Sequence, residues 1–244
     1  MRILIISDIH GNLPALEAVF NDSGEIDAAW CLGDLVGYGP NPNECILQIL
    51  QLPNLVCLLG NHDAAALNQI DISSFNLEAR KALVWTQQSL TSDSVEYLSK
   101  LPESQVVGSV TLAHGSPRQP VWEYILDTRI ATQNFAYFET PFCFVGHSHL
   151  PVIYQFSNGR AQADLLIPKA QFSTQLIPRA IVNPGSVGQP RDRDPRAAYA
   201  IFDPDAFPPT WEYRRVQYDI TLVQKHMEKE GLPRRFIQRL SVGW

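Results

Sequence analysis

Five of the six histidines in this 244-residue chain fall in short polar motifs, and each motif directly follows an apolar run. Residues 3–6 lead into Asp8-Ile9-His10, residues 28–32 into Gly33-Asp34, and residues 55–59 into Gly60-Asn61-His62-Asp63. Residues 106–113 lead into His114-Gly115 and residues 142–145 into Gly146-His147-Ser148-His149; only His226 stands elsewhere. Imidazoles and carboxylates with one amide oxygen, and no thiolate, suit borderline or hard divalent ions such as Mn, Fe, Co, Ni or Zn. The candidate ligands are Asp8, His10, Asp34, Asn61, His114, His147 and His149. That set exceeds the needs of one tetrahedral ion and suits two ions if one carboxylate bridges them. Two ions about 3.5–4 Å apart can hold a bridging hydroxide and clamp a phosphate for in-line attack. Glycine before Asp34, Asn61 and His147 lets the backbone turn sharply and come close to the ions. Taken singly the motifs are weak, because Asp-x-His or Gly-Asp at a strand end is often a turn bonded to its own loop. Their succession, each after an apolar run, points to one convergent site.

Such convergence requires strands whose carboxyl ends share an edge, since ligands of α/β sheets bind beyond those ends. The apolar runs predict strands over residues 3–6, 28–32, 55–59, 106–113, 142–145, 152–156, 180–182, 197–202 and 210–218. Helical patterns predict helices over 14–20, 43–50, 77–90, 94–98 and 220–230. Asn12 is a suitable N-cap for the first of these, with Pro14 in its first turn. Residues 115–127 read as an active-site loop and 157–179 as a β-rich excursion. The alternation of strands and helices is that of an α/β or layered α+β fold. With no internal repeat or flexible linker, residues 1–244 read as a single domain.

Composition narrows the function classes. Lys plus Arg number 19 against 25 Asp plus Glu, a net charge of −6, which argues against a duplex nucleic-acid partner. At 45% hydrophobic residues the chain is no disordered segment. No apolar run reaches the ~18 residues of a membrane helix, and no targeting segment is legible. Cys31, Cys45, Cys57 and Cys143 form no Cys-x-x-Cys pair, and all but Cys45 sit within apolar runs. They read as buried free thiols of a cytoplasmic protein.

The motifs Asp8/His10, Gly33/Asp34, Gly60–Asp63, His114/Gly115 and Gly146–His149 resemble those of the calcineurin-like metallophosphoesterase superfamily, in its small bacterial and archaeal phosphodiesterase-like branch. The resemblance implies a four-layer α-β-β-α sandwich with two mixed β-sheets and a dimetal site at the C-terminal ends of the strands. It places Asp8, His10 and His149 on a first metal, Asn61, His114 and His147 on a second, and Asp34 as the bridge. Manganese is the favoured ion, with Fe, Ni, Co or Zn as alternatives. His62 matches the family's non-ligand histidine, which protonates the leaving oxygen or stabilises charge on the phosphoryl group.

One motif departs from the phosphoprotein-phosphatase form. Gly33-Asp34-Leu35-Val36-Gly37-Tyr38-Gly39 has Gly37 where those members carry an Asp that orients the histidine, and Tyr38 where they carry a phosphate-binding Arg. A dianionic monoester depends more on that guanidinium than a monoanionic diester does, so the implied activity is metal-dependent hydrolysis of phosphate esters, diesters first. A phosphomonoesterase or Ser/Thr phosphoprotein phosphatase is the alternative. A non-catalytic protein-binding scaffold is disfavoured, because all seven ligands and His62 are kept. The partner is then a small phosphate ester. Arg118, four residues beyond His114, is a candidate phosphate contact, or else a loop ion pair. Arg191, Arg193 and Arg196 alternate with Asp192 and Asp194, the pattern of a solvated charge network. Tyr38, counted as a candidate substrate-binding residue, could stack on a base, as could Trp122 and Tyr124, although packing is the commoner role of aromatics.

Overall fold

The apolar run at the N-terminus forms strand β1 (Ile3–Ile6), and its residues divide between two layers. Ile3 and Ile5 enter a core shared by two sheets, while Leu4 and Ile6 enter a second core beneath helices. This is the period-two alternation of a strand buried on both faces, which is why its sequence is apolar throughout. A computed structural model describes residues 1–157 and 159–244.

After β1 come α1 (Leu13–Ser23), β2 (Ala28–Cys31), α2 (Pro42–Ile49), β3 (Val56–Cys57) and α3 (Asn61–Ala66). Next are α4 (Leu77–Ser89), α5 (Ser92–Ser99), β4 (Ser104–Val107), β5 (Val110–Ala113) and α6 (Thr128–Asn134). β6 (Phe142–Phe144), β7 (Pro151–Gln155), β8 (Asp164–Leu166), β9 (Phe172–Gln175) and β10 (Ala180–Pro184) follow. The chain continues through β11 (Ala197–Asp203), β12 (Thr210–Val216), α7 (Ile220–Lys229) and α8 (Arg234–Leu240).

Two six-stranded sheets result, ordered β3-β2-β1-β11-β12-β9 and β4-β5-β6-β10-β7-β8. Both are mixed. β1, β2 and β3 run parallel in the first sheet, as do β5, β6 and β10 in the second, so each presents three carboxyl ends at one edge. The layers follow from alternation. Trp30, Phe202, Phe142 and Phe144 meet between the sheets, whereas their neighbours Cys31, Ile201 and Cys143 face outward under helices. The two sheets are thus flanked by helices, the α-β-β-α layering that the motifs implied. A further helical cluster, drawn from α4, α7 and α8, packs against Tyr38 and Phe75.

Most predicted elements fall within one to three residues of those observed. The run 106–113 is the main correction: it is the hairpin β4–β5, pairing Val107 with Val110 across a Gly108-Ser109 turn, and not one strand. The strand expected over 55–59 shrinks to Val56–Cys57, and the motif after it opens α3. α6 and α8 were not foreseen; α6 is capped by Asp127, whose Oδ1 accepts from Ile130 N at 2.8 Å. Residues 157–179 do carry the short strands β8 and β9. All four cysteines are buried and free. Among the described residues no helix is long and apolar enough to cross a membrane.

Candidate metal centre and substrate cleft

The loops after the parallel strands are laced together by main-chain hydrogen bonds. Asp8 N donates to Gly33 O, His10 N to Asp34 O, Gly146 N to His114 O, and Gly188 N to Asp8 O, all at 2.8–3.0 Å. Asp63 adds a side-chain tie: its carboxylate accepts from Gly60 N, Asp34 N and Val36 N at 2.9–3.0 Å. This joins the second and third motifs, a positioning role the sequence reading did not assign. Gly60 is required by proximity, since a Cβ there would lie 2.1 Å from Asp34 Oδ1.

The lacing brings all seven candidate ligands together and buries them. Two donor sets form, Asp8, His10, Asp34 and His149 in one, Asp34, His114 and His147 in the other, each with ligand atoms within 4.8 Å of one another. Asp34 belongs to both. Asn61 joins the second through its Oδ1, 3.1 Å from His114 Nε2. Asp34 Oδ1 accepts from His62 N at 2.8 Å and Asp8 Oδ2 from His147 N at 3.1 Å. The opposite oxygens, Asp34 Oδ2 and Asp8 Oδ1, are buried with no hydrogen-bond partner.

Each imidazole is oriented from behind. His10 Nδ1 lies 3.1 Å from Val36 O, His114 Nδ1 2.9 Å from Leu32 O and His149 Nδ1 2.5 Å from Gln189 O. Donation to those carbonyls leaves each Nε2 as a lone-pair donor facing the cluster. His147 is reversed, with Nε2 3.2 Å from Trp122 O, which frees Nδ1. Nitrogen and oxygen lone pairs crowd at short range: His10 Nε2 is 3.2 Å from His149 Nε2, and His149 Nε2 is 3.2 Å from Asp8 Oδ1. Orphaned carboxylate oxygens and converging imidazoles of this kind fit divalent cations.

Titration behaviour agrees with that fit. Burial holds His10, His147 and His149 well below the ordinary imidazole value, so they are neutral and ready to ligate. Burial pushes His114 the same way, but the Asp34 carboxylate, 3.4 Å from its Nε2, outweighs it and lifts His114 to about 9. A cation would displace that proton. Backbone strain is concentrated here as well. Of the ten non-glycine residues at positive φ among the described residues, Asp8, His10, Asp34, His147 and His149 are five, at φ 50–63°. Strain of this order persists where surrounding contacts over-determine the backbone, a habit of functional sites.

Beside the cluster is a cleft of about 300 Å³, lined by Asn61, His62, Tyr38, Trp122, Arg191 and Arg239 among others. His62 lies between Tyr38 and Phe75, with ring centroids 4.4 and 5.1 Å away, and burial lowers it to about 4. Its Nδ1 is buried without a partner and faces Gly37, where a Cβ would lie 2.6 Å away. The imidazole thus occupies space that any side chain at position 37 would need. Tyr124 stacks on His147 at 3.7 Å between centroids, so one of its faces is already used.

The cations differ from expectation. Arg118 is paired with Glu123, which Ser116 and Asn134 also hydrogen-bond, and it is not among the residues lining the cleft. That is the loop ion pair. Arg196 pairs with Asp194 at 2.5 Å, in line with a charge network, but Arg191 leaves that network and faces the cleft. Arg239 joins it from α8 and had no signal in the sequence beyond an ordinary helical arginine.

The family model described as calcineurin-like phosphoesterase matches residues 1–166. A metallophosphoesterase from Sphaerobacter thermophilus superposes with a TM-score of 0.92 at 44% identity, covering 100% of this chain and 99% of that one. An uncharacterized protein of Methanocaldococcus jannaschii is 37% identical over 99% of this chain and 98% of its own length. A hypothetical protein of Pyrococcus horikoshii, 22% identical with a TM-score of 0.78, covers 100% of this chain and 98% of its own and shares the fold. Fold, buried donor cluster and sequence likeness agree: the chain belongs to the calcineurin-like phosphoesterase family and is a hydrolase acting on phosphoric ester bonds.

Proposed function

We propose that residues 1–244 form one metallophosphoesterase domain that hydrolyses phosphate esters, diesters in preference, with two divalent ions at the cluster centred on Asp34. The observation that carries this reading is the pair of buried donor sets sharing Asp34, beside a cleft that holds His62 and two arginines. In this reading Asp8, His10 and His149 serve one ion, Asn61, His114 and His147 the other, and Asp34 both. Nitrogen and oxygen donors without sulfur suit borderline or hard divalent ions, of which this reading takes manganese first, with Fe, Ni, Co or Zn as alternatives. Ions held by these residues would supply water activation at neutral pH and charge withdrawal from phosphoryl oxygens. Buried free thiols support a reducing, cytoplasmic setting.

The chain's own groups do the rest. His62 is fixed by its backbone N–H on Asp34 Oδ1 and by the rings around it. With Nδ1 buried and unpartnered against Gly37, and His62 lining the cleft, the reading places its proton on Nε2. From there the neutral imidazole donates a hydrogen bond to a phosphoryl oxygen as negative charge grows on it. Tyr38 presents a ring where a guanidinium would favour a dianion, which is the basis of the diester preference.

A second reading, phosphomonoester hydrolysis, draws on Arg191 and Arg239, which return cationic charge to the same cleft. The manganese-loaded protein, assayed with bis(4-nitrophenyl) phosphate and 4-nitrophenyl phosphate, separates the two. We expect the diester to have the higher kcat/KM, Tyr38→Arg to move the ratio toward the monoester, and a chelator to abolish both activities. A wild-type preference for the monoester, lost in Arg191→Ala, would establish the second reading. His62→Gln is expected to lower turnover roughly 10²–10³-fold with metal content unchanged. The loss should be similar for good and poor leaving groups; a loss confined to poor ones would make His62 an acid.

A further inference from the structure

A second cavity of about 420 Å³ adjoins the cleft, and Tyr124, Arg191 and Arg239 line both. Arg235 and Trp244 border it too, as does Ser148, which lies between the candidate ligands His147 and His149. Three guanidiniums therefore surround one space in a chain of net charge −6, and no Asp or Glu side chain lines it with them. Of the eleven other arginines, Arg118, Arg160, Arg196, Arg214 and Arg215 each pair with an acid, and Arg2, Arg80 and Arg179 donate to backbone carbonyls. Among the described residues Arg191, Arg235 and Arg239 form no ion pair.

Two of the three are also incompletely hydrogen-bonded. Nε of both Arg191 and Arg239 is buried without a partner, and the one side-chain bond of Arg191 is a 3.4 Å contact to Gln189. Arg235 and Arg239 stand four residues apart on α8, while Phe236, Ile237 and Leu240 of that helix pack into the helical cluster. Like charges at this spacing weaken a helix. Burial, then repulsion from Arg191 and Arg235, holds the Arg239 guanidinium below its ordinary value. Three unpaired guanidiniums around one space, two of them with a buried and unpartnered Nε, match an anion brought from outside beside a phosphoester site.

We infer that this cavity is a second anion subsite, which seats a non-scissile phosphate carried by the ester cleaved at the metal centre. The substrate class is an organic ester with two separate phosphoryl groups, its planar or apolar part lying against Tyr124 and Trp244. The inference rests on the phosphoesterase reading for what happens in the cleft, whereas the anion seat can be tested by binding alone.

The binding test is calorimetric titration of the metal-loaded protein, at fixed ionic strength, with thymidine 3′,5′-bisphosphate and thymidine 5′-monophosphate. The bisphosphate is expected to bind roughly ten- to hundred-fold more tightly. Arg235→Ala should remove most of that advantage and Arg235→Glu all of it, while Lys100→Ala, on a distant exposed ion pair, should leave it intact. Equal affinity for the two ligands in the wild type, or an advantage unchanged in both Arg235 variants, overturns the subsite. The 4-nitrophenyl 5′-esters of thymidine, with and without a 3′-phosphate, complete the test. Faster hydrolysis of the phosphorylated ester, with a ratio that falls in Arg235→Ala, supports the whole inference. Hydrolysis of neither ester, with the binding advantage intact, overturns the phosphoesterase reading and leaves the anion seat standing.

Discussion

Within its first ten residues the chain serves two regions: Ile3 and Ile5 belong to the core between the sheets, Asp8 and His10 to the rim where strands end. The core is aromatic and relaxed. Phe202 sits there fully buried, with ring centroids 5.0 Å from Phe144, 6.1 Å from Trp30 and 6.3 Å from Phe142. The rim is polar and uncomfortable: it holds orphaned oxygens, five candidate ligands at positive φ, and nitrogens and oxygens facing one another. A core of this kind contributes free energy of folding by removing apolar area from water. The rim spends some of it, and is held in place by strands below and by main-chain bonds across the loops. Stability and chemistry therefore reside in neighbouring but separate sets of residues.

The sharpest way to break that separation is at Asp34. Asp34→Asn is expected to lower turnover on the order of 10⁴-fold, about 5 kcal/mol of barrier. It should also weaken both ions, read by elemental analysis, while the metal-free protein unfolds within about 1 kcal/mol of wild type. Loss of a single ion would take Asp34 out of the shared position, and a collapse of metal-free stability would show the rim to be structural.

Phe202→Ala is the converse experiment. It should cost about 3–5 kcal/mol of stability in denaturant titration, yet leave the folded protein with its full metal content and turnover. A folded variant depleted of metal would show that core packing sets the rim geometry.

The smallest effect concerns the paired arginines. The Arg196 side chain, then its backbone N–H and Arg215, hold Asp194 below the ordinary carboxylate value against the pull of burial. A depressed carboxylate stabilises the fold above its unfolded pKa, and that contribution is lost as pH falls through the native value. Asp194→Asn should thus cost under about 1 kcal/mol near neutrality, because solvent screens so exposed a pair. The difference from wild type should fade below about pH 4. A difference constant across pH would mean that the side-chain hydrogen bonds, and not the charge, hold that loop.

How far the sequence was legible follows the same division. Each ligand motif is local, a handful of residues after an apolar run, so Asp8 through His149 could be read without coordinates. Strands such as β1 announced themselves because burial on both faces demands an unbroken apolar run. The hairpin at Gly108 was hidden in such a run, since hydrophobic pattern alone does not mark a reversal. Arg118 and Arg191 show the limit most plainly. Both follow a ligand-bearing or loop motif, and only the partner, Glu123 for one and none for the other, separates a loop ion pair from a cleft cation. Arg239 depends on how α8 packs, a matter of tertiary contact that no spacing in its own helix encodes. Asp63 was visible as the last letter of its motif, but two of its three backbone N–H bonds reach a loop 27 and 29 residues away in sequence and were not.

The pairing of β1 with β11 has a bearing on how the site comes into being during translation. The last of the seven candidate ligands, His149, emerges from the ribosome well before the strand that flanks the first of them. β1 acquires its antiparallel neighbour only when residues 197–203 arrive, Ile3 lying against Phe202. The carbonyl of Asp8 is pinned from the same late region, by Ser186 Oγ at 2.9 Å and Gly188 N at 3.0 Å. A nascent chain stalled after His149 would carry every ligand and still lack the frame that aims them. Ions encountered at that stage would meet separate loops, so in the two-ion reading metal capture would await the arrival of residues 186–203.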